Sequence, residues 1–301
     1  MGLFYCTNFN IRLVEKEKGD DLFSTEGREI YRLLSDTALL KREPVTVLAD
    51  PYLFVHHGFL HLFYERQVRH YGKGKLYMRK TADLLDWSDE VKVLDKPYHL
   101  SFPFVFEDGG QVWMLPETGD NHDVQLYRAA DETLADWKLE KVLLDDGVKW
   151  RDSSLFRKDG VWYLFATICD ENPTALHLFT SDRLDGTYTE HPRSPVCNGR
   201  EFGRNGGCVF EHDGSLYRPA QNCLHGYGKQ LSIVRIDRLT PTDYAETVVR
   251  QNLIDTEMPF YRRGGHHFNI ATFLGRTIVS TDARCRNYNL VEFFRRLSRQ
   301  A

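Results

Sequence analysis

The sequence of 301 residues has little net charge, no long apolar run and no paired cysteine motif. Its apolar runs are strand-sized, so no segment is predicted to span a membrane as a helix. A formal net charge of −4 provides no basic field that would recruit nucleic acid. The six cysteines form no C-x-x-C pair, and HExxH and P-loop motifs are absent. These absences argue against metal modules, nucleotide-binding loops and nucleic-acid partners.

The first residues lack the basic start, apolar core and small-residue cleavage site of a secretory signal. Because the cysteines are also scattered, we expect a reduced, cytoplasmic protein, and peripheral contact with a membrane stays open. No linker or low-complexity segment interrupts the chain, so a single domain is predicted.

The sequence is rich in one repeat. A phenylalanine followed four residues later by a glycine occurs at Phe54, Phe106, Phe156 and Phe210, and a degenerate fifth copy has Ala271. Each copy has the pattern of a strand, a turn and an aromatic-rich strand, and successive anchors lie 52, 50, 54 and 61 residues apart. Units of this length are typical of β-propellers, in which each sheet needs neighbours to bury its faces. We predict an all-β, five-bladed β-propeller with about four antiparallel strands per blade.

Residues 1–45 do not repeat and form a predicted N-terminal extension, whereas residues 46–301 form the predicted propeller. Phe9–Val14 is a candidate strand that closes the ring by completing the last blade. Apolar residues at helical spacing predict a short helix over Arg28–Lys41. The basic, amphipathic tail Leu290–Gln300 is compatible with a last strand or with a helix.

The repeat also predicts where chemistry takes place. In a hairpin, the start of the first strand and the end of the second lie at the same sheet edge. Residues four before each anchor and eleven after it therefore converge on one mouth of the central channel. The first set is Asp50, Phe102, Asp152, Gly206 and His267, and the second is Glu65, Glu117, Thr167, Gln221 and Asp282. Segments before the first strands add a rim with His99, Trp150, Arg151, Arg204, Arg262, Arg263 and His266.

Two repeat-equivalent aspartates, Asp50 and Asp152, are the main candidate catalytic residues. Like charges across a narrow channel raise one pKa and tune a base against an acid. A turn-capping role is the plain alternative for either aspartate. Glu117 is preferred as a third carboxylate, and Glu65 is more ambiguous. The pair His266–His267 after two glycines is interpreted as part of a polar site rather than of a packed core.

Several longer strings make a more specific match. They all resemble segments of one family. The strings are ADPYLF, HLSFPFVFEDGGQVWMLPET, DVQLYRA, DSSLFRKDGVWYLFAT, and LYRPAQNC with YGKQLSI and LTPTDY. The family is the N-terminal-domain family of plant glucosamine inositolphosphorylceramide transferase, with its bacterial stand-alone relatives. The match covers roughly residues 45–282. More remotely, the chain resembles the five-bladed furanosidase superfamily that includes glycoside hydrolase families 32, 43 and 62.

The furanosidase resemblance implies a base or nucleophile at Asp50, within ADP. It implies a substrate-orienting or acid-tuning role for Asp152, and Arg151–Asp152 is similar to the Arg-Asp pair of family 32. The third carboxylate, a proton donor, has no obvious equivalent, because blade four begins REFGRNGG with Arg204 and Asn205 at that place. A phosphate leaves a sugar without protonation and needs positive charge instead. The missing acid and the basic rim therefore favour transfer over hydrolysis.

The leading hypothesis is a glycosyltransferase of surface-glycan or glycolipid assembly. It would move a sugar, in one version a furanose, from a phosphate-activated donor to a glycan or glycolipid. Asp50 would activate the acceptor hydroxyl, and Asp152 would position the sugar. The groups expected to hold phosphates are Arg151, Arg204, Arg218, Arg262, Arg263, His266 and His267. The other predicted substrate contacts are Glu65, His99, Trp150 and Gln221.

No cofactor is predicted, although a divalent cation becomes a candidate if the donor is a diphosphate. Two alternatives stay open. One is a hydrolase of a furanose-containing glycan, with Glu117 or Glu201 as the acid. The other is a propeller that binds a glycan without chemistry, since the fold alone does not decide function.

Overall fold

The computed structural model describes residues 6–69, 72–169 and 174–300. These residues form five small antiparallel sheets in a ring, so the predicted all-β, five-bladed propeller is confirmed. The chain begins with β1 (Cys6–Lys16) and β2 (Arg28–Leu33), which belong to the last blade. Blade one consists of β3 (Val45–His56), β4 (Phe59–Val68), β5 (Gly74–Thr81) and β6 (Val91–Leu94). Blade two consists of β7 (Ser101–Asp108), β8 (Gln111–Glu117), β9 (Val124–Ala129) and β10 (Trp137–Leu144).

Blades three and four each contain five strands, some of them very short. Blade three consists of β11 (Arg151–Lys158), β12 (Val161–Ile168), β13 (Ala175–Ser181), β14 (Thr189–Glu190) and β15 (Cys197–Asn198). Blade four consists of β16 (Arg204–Asn205), β17 (Phe210–His212), β18 (Ser215–Asn222), β19 (Gln230–Leu239) and β20 (Tyr244–Arg250). The chain ends with β21 (Phe268–Phe273), β22 (Arg276–Asn287) and the helix α1 (Leu290–Gln300). Within the described residues, no helix has the length and apolar character needed to cross a bilayer.

The two ends of the chain close the ring within blade five. Its strand order is β2-β1-β22-β21, and β1 pairs with β22 from Cys6↔Asn287 to Lys16↔Thr277. The predicted closing strand over Phe9–Val14 is therefore confirmed. Because the paired residues are far apart in sequence, this blade forms only when both chain ends meet.

The predicted helix over Arg28–Lys41 is wrong. Arg28–Leu33 forms β2, which pairs antiparallel with β1, and no helix follows it before residue 41. The ring of Tyr31 stacks on Trp87 of blade one, with centroids 4.2 Å apart. Tertiary packing of this aromatic and pairing with β1 override a weak helical periodicity.

The repeated glycines serve the hairpin turns on the face opposite the mouth. Both central residues of each two-residue turn have positive φ, which is typical of type I′ hairpins. The second turn residue is always glycine, with φ between 70° and 83°: Gly58, Gly110, Gly160, Gly214 and Gly275. The Phe-x₃-Gly pattern is therefore a requirement of the fold, since each blade needs the same turn.

At the mouth, blades one to three share a second irregularity. Asp50, Phe102 and Asp152 have φ of 52°, 47° and 48°, and pairing of the first two strands is interrupted there in each blade. Such a β-bulge bends the strand and redirects a side chain. A left-handed conformation costs a non-glycine residue roughly 1–3 kcal/mol and is concentrated at functional sites. The structure thus marks the positions that the repeat singled out.

Candidate functional site

Side chains of one blade accept backbone N–H groups of the next blade around the mouth. The acceptors stand at the ends of the second strands, eleven residues after the repeat anchors. These bonds join Asp50 N–H to Asp282 Oδ2 (3.3 Å), Asp152 N–H to Glu117 Oε2 (3.2 Å) and Asn205 N–H to Thr167 Oγ1 (3.3 Å). Three of the polar groups predicted at the mouth therefore connect adjacent blades.

The junction between blades one and two is different. There the acceptor is Asp50, whose Oδ2 accepts the N–H of Phe102 at 3.0 Å. Glu65 occupies the equivalent position in β4, but among the residues that the structure describes no N–H group donates to its side chain. The carboxyl group of Glu65 therefore does not take part in the capping that joins the blades.

Asp50 is buried and faces two histidines. Its Oδ1 lies 3.5 Å from His267 Nδ1 and 3.7 Å from His266 Nε2. Burial alone would raise the pKa of Asp50, but His267, His266 and the Phe102 N–H outweigh burial and hold that pKa well below its ordinary range. Asp50 is therefore ionised at neutral pH.

Asp282 anchors the two histidines. Its Oδ1 accepts the N–H of His266 at 2.8 Å and that of His267 at 3.1 Å, and its Oδ2 lies 2.6 Å from His266 Nδ1. Burial would lower the pKa of His266, but the charge of Asp282 outweighs it and raises that pKa. The ring nitrogens of His267 have no hydrogen-bond partner among the described residues. Asp282 thus fixes both histidines beside Asp50, and their role in a polar site stays a prediction.

Asp152 is held on the opposite side of the mouth by charge and amide donors. Its Oδ2 accepts bonds from Arg204 Nε at 2.5 Å and from Gln221 Nε2 at 3.1 Å. Its backbone carbonyl accepts a bond from Asn205 Nδ2 at 2.9 Å. Both side-chain bonds fall on Oδ2, so Arg204 and Gln221 fix the position of the Asp152 carboxylate.

Glu117 is a structural partner as well as a titratable group. Its Oε1 accepts a bond from Arg151 NH1 at 2.7 Å while its Oε2 caps Asp152. Burial and the charge of Asp152 raise the pKa of Glu117 to about 7, even though Arg151 and Arg204 oppose the shift.

Glu65 is only 6% exposed, yet none of the described residues makes a hydrogen bond with its carboxyl group. His99 is a polar neighbour, and its Nε2 lies 3.4 Å from Glu65 Oε1. His99 Nδ1 accepts the N–H of Gly74 at 2.9 Å, so in the neutral ring the hydrogen is on Nε2. Burial, followed by the charges of Asp50 and other mouth carboxylates, raises the pKa of Glu65 well above its ordinary value.

Glu65 opens on a cavity of about 400 Å³ between blades one and five. The cavity is lined by Phe9, Val47, Ala49, Glu65, Gln67, His99, Tyr227, His266 and Arg284. Tyr227 is 44% exposed and forms an aromatic surface over the mouth. Its ring lies 4.8 Å from the Arg204 guanidinium and 4.9 Å from the His266 ring. An exposed aromatic beside polar groups is suited to a sugar face.

Sequence reasoning missed several residues of this cavity. Phe9, Tyr227 and Arg284 stand outside the repeat positions that predict the mouth, in the closing strand, a glycine-rich loop and the end of β22. The only local signal was Gly226 and Gly228 flanking Tyr227, which permit the loop to turn with φ of 111° and 69°.

Two predicted substrate contacts do not reach the mouth. Arg218 is 0% exposed and pairs with Glu246 on β20, with NH2 2.8 Å from Oε1, so the prediction that it holds phosphate is wrong. Trp150 is buried, donates Nε1–H to Asp146 at 3.0 Å and packs edge-on against Phe179. Arg218 points into the blade interior because alternate residues of β18 face opposite sides. Trp150 precedes β11 and is held away from the mouth by Asp146 and Phe179.

The other predicted contacts are at or near the mouth. His99 and His266 line the cavity, Gln221 contacts Asp152, and Arg151 and Arg204 hold carboxylates rather than open positions. Arg262 and Arg263 are exposed beside the turn Pro259–Tyr261. The basic rim is therefore partly neutralised within the protein.

Two side-chain groups among the described residues have a geometry that a cation would accept. One is Asp50, His266 and Asp282 at the mouth, and the other is His56, His57 and Glu132 on the opposite face. In each group the ligand atoms lie within 4.8 Å of one another. At the mouth these atoms already contact one another and backbone N–H groups, so the fold does not need a cation to compensate their charges.

Comparison with known proteins places this site in a family. The family described as "Glucosamine inositolphosphorylceramide transferase 1, N-terminal" matches residues 34–272. This chain belongs to that family. Glucosamine inositolphosphorylceramide transferase 1 of Oryza sativa subsp. japonica is 36% identical over 213 residues, which are 68% of this chain and 28% of the rice protein. The Arabidopsis thaliana protein of that name is 34% identical over 237 residues, 75% of this chain and 31% of that protein. The chain thus spans less than a third of the relatives' length.

Solved structures share the fold. A thermostable family-43 glycoside hydrolase aligns with a TM-score of 0.58 at 14% identity, over 80% of this chain and 89% of the hydrolase. The α-L-arabinofuranosidase PaAbf62A of Podospora anserina aligns with a TM-score of 0.59 at 12% identity, over 95% of this chain and 98% of that enzyme. At these identities the similarity shows the propeller architecture alone.

Proposed function

We propose that the mouth of this propeller binds a sugar and catalyses its transfer from a phosphate-activated donor to a glycolipid. The observation that carries the proposal is Asp50, an ionised, buried carboxylate at a strained bulge beside an open cavity. Relatives named glucosamine inositolphosphorylceramide transferase support the reaction class. Because the chain spans less than a third of those relatives, their whole activity is part of the proposal.

Asp50 is assigned to receive the proton of the acceptor hydroxyl. That hydroxyl becomes acidic only as its oxygen bonds to the anomeric carbon, so an ionised carboxylate with a low pKa is sufficient. Asp152, fixed by Arg204 and Gln221, is assigned to stabilise the positive charge that develops on the sugar. The departing phosphate needs no proton. This suits the mouth, because most of its carboxyl groups are held in contacts within the protein and are not available as proton donors. A cytoplasmic location, and a divalent cation with a diphosphate donor, belong to the same proposal.

The test begins with a donor screen by thermal shift, because a true donor stabilises the native state by mass action. Transfer from the best donor to an inositol-containing glycolipid is then measured for the wild type and for Asp50→Asn. We expect the substitution to lower kcat/KM by about 10²–10⁴-fold, because the base is lost.

Asp159→Asn is the matched control. Asp159 is an exposed aspartate with a similarly positive φ of 51°, but it lies in a hairpin turn on the face opposite the mouth. Its substitution is expected to leave turnover unchanged. Wild-type turnover in the Asp50→Asn protein, at an unchanged melting temperature, would contradict the assignment.

A second candidate is a propeller that binds the glycan while chemistry takes place elsewhere in a larger assembly. It is favoured by the use of Asp152, Glu117 and Asp282 in contacts within the protein. In that case the isolated chain would bind a sugar, and Asp50→Asn would retain that binding, but no donor would give turnover.

A further inference from the structure

Two histidines and one glutamate meet on the face opposite the mouth, where blades one and two adjoin. His56 ends β3 and His57 is the first residue of the turn that follows, so both belong to blade one. Glu132 lies in the loop between β9 and β10 of blade two. Its Oε2 is 3.0 Å from His56 Nε2 and 3.3 Å from His57 Nδ1. Two imidazole nitrogens of one blade therefore approach the same carboxylate oxygen of the next blade.

The distances between these atoms are close to those around a tetrahedral zinc ion. A ring nitrogen or carboxylate oxygen lies about 2.0–2.2 Å from zinc, so two ligand atoms at the tetrahedral angle are roughly 3.3–3.6 Å apart. The contact of His57 with Glu132 has this length, and that of His56 is slightly shorter. All three ligand atoms lie within 4.8 Å of one another. Small side-chain shifts are therefore enough to place zinc between them.

Packing positions these groups before any ion binds. His56 is 8% exposed, and its ring stacks with those of Phe54 and His57, at centroid distances of 5.7 Å and 4.0 Å. The rings of the two histidines are nearly parallel, with 12° between their planes. The loop that carries Glu132 is anchored by the buried side chain of Leu134. Ligands held in this way lose little conformational entropy when they bind a metal.

The chemistry of the three groups favours one class of metal. Two imidazoles and a carboxylate suit a transition ion such as Zn²⁺, whereas Mg²⁺ and Ca²⁺ prefer sites built from oxygen ligands. The side chains of His57 and Glu132 are 64% and 73% exposed. An ion can therefore enter from solvent and keep a water molecule at its fourth position.

The hairpin of blade four provides an internal comparison. His212 ends β17 as His56 ends β3, and a turn with positive φ at both of its central residues follows each of them. The turn residue Asp213 has its Oδ2 3.4 Å from His212 Nε2, but the described residues supply no third ligand there. A histidine at this position of the repeat is thus not sufficient. The second histidine and the glutamate from the neighbouring blade distinguish the junction of blades one and two.

We propose that His56, His57 and Glu132 form a zinc site that joins blade one to blade two. The two nitrogens and the carboxylate oxygen supply three ligands, and water supplies the fourth. At the mouth, the same two blades are joined by the bond from the Phe102 N–H to Asp50. Zinc fastens the opposite end of this junction and stabilises the native state, because the unfolded chain does not hold the three groups together. The site is independent of the proposed transfer reaction.

The site is tested by isothermal titration calorimetry with Zn²⁺ on chelator-treated protein, at about pH 7.5, where an ordinary imidazole is neutral. The wild type is expected to bind zinc and to gain thermal stability as the zinc concentration rises. His57→Asn and Glu132→Gln are each expected to weaken the affinity by about 100-fold or more, since loss of an outer-shell partner alone costs roughly 10–100-fold. Asparagine tolerates the φ of 47° at His57, so the turn is kept.

His212→Asn is the matched control and is expected to bind zinc like the wild type. Excess Mg²⁺ is expected to leave the zinc in place, because it competes poorly for imidazole ligands. A folded wild type that binds no zinc, or equal affinities in the wild type, His57→Asn and Glu132→Gln, would overturn the site.

The group at the mouth is separated from this site by one further variant. Zinc binding that is lost in Asp50→Asn but kept in His57→Asn would place the ion at the mouth and overturn the proposal. Zinc binding that is kept in Asp50→Asn and lost in His57→Asn supports it. None of these measurements uses turnover, so failure of the zinc site and failure of the transfer mechanism give different results.

Discussion

Asp50 and Asp152 occupy equivalent positions in blades one and three but have opposite surroundings. Both stand at a bulge with nearly the same φ, 52° and 48°, and both point to the mouth. Asp152 is closed in by Arg204 and Gln221. Asp50 faces two histidines at the edge of an open cavity. The repeat therefore determines where the carboxylate points, and residues from other blades determine what it can do.

The same contrast holds for the two glutamates that end the second strands of blades one and two. Glu117 caps a neighbouring blade and pairs with Arg151, whereas Glu65 opens on the cavity. One half of the mouth is thus a closed network that holds blades together, and the other half is open for a ligand. The following four predictions test this division.

The largest effect on stability is expected on the closed side. Arg204→Met leaves the buried Asp152 carboxylate without its ion-pair partner, at a cost of about 3–5 kcal/mol in the free energy of unfolding. Urea denaturation measures this. Arg157→Met, which removes an exposed pair with Asp108, is expected to cost less than about 1 kcal/mol. If both variants lost the same small amount of unfolding free energy, the contacts on the closed side would not be a stabilising network.

Glu117 should make the closed side sensitive to pH. Its pKa is about 7 in the fold and 4.5 ordinarily, so the unfolded chain releases the proton first as the pH rises. The stabilising contribution is complete below pH 4.5 and is lost as the pH rises through 7, by about 3 kcal/mol in total. Denaturation midpoints of the wild type and Glu117→Gln between pH 4.5 and 8 measure the difference. Parallel pH profiles would contradict the raised pKa.

On the open side, Gly74→Ala should disturb the cavity wall. A Cβ at this position would lie 2.4 Å from Leu100 O and 2.5 Å from Glu65 Oε1. We expect a loss of about 1–3 kcal/mol in the free energy of unfolding from this overpacking, together with weaker binding of the sugar donor. Thermal unfolding and calorimetry measure the two effects. Unchanged binding would indicate that the position of Glu65 does not matter to the ligand.

The smallest effect on stability is expected for Tyr227→Ala. This ring is half exposed and rests on Arg204 and His266, so its removal should cost less than about 1 kcal/mol of folding free energy. Sugar-phosphate affinity should fall by about tenfold because a stacking surface is lost. A large loss of stability with unchanged affinity would assign Tyr227 to the closed network instead.

The repeat made the propeller, its hairpin turns and the mouth positions predictable. Each blade needs the same turn, and the side-chain alternation of a strand is strict. The helix predicted over Arg28–Lys41 failed because weak periodicity carries no information about the β1 edge that recruits this segment. Arg218 was misplaced because one step along a strand reverses the face, and Trp150 because its contacts with Asp146 and Phe179 are not visible in the sequence.

The sequence by itself determined the five-bladed architecture and brought Asp50, Asp152, Glu65 and Glu117 to one mouth, because these follow from local turn and strand geometry. Only the tertiary structure decided which of these carboxyl groups are engaged. Their partners are distant in sequence, as Arg204 is 52 residues from Asp152 and Asp282 is 232 residues from Asp50. Protonation and cavity shape depend on burial and on charges from several blades, and those quantities exist only once the ring has closed.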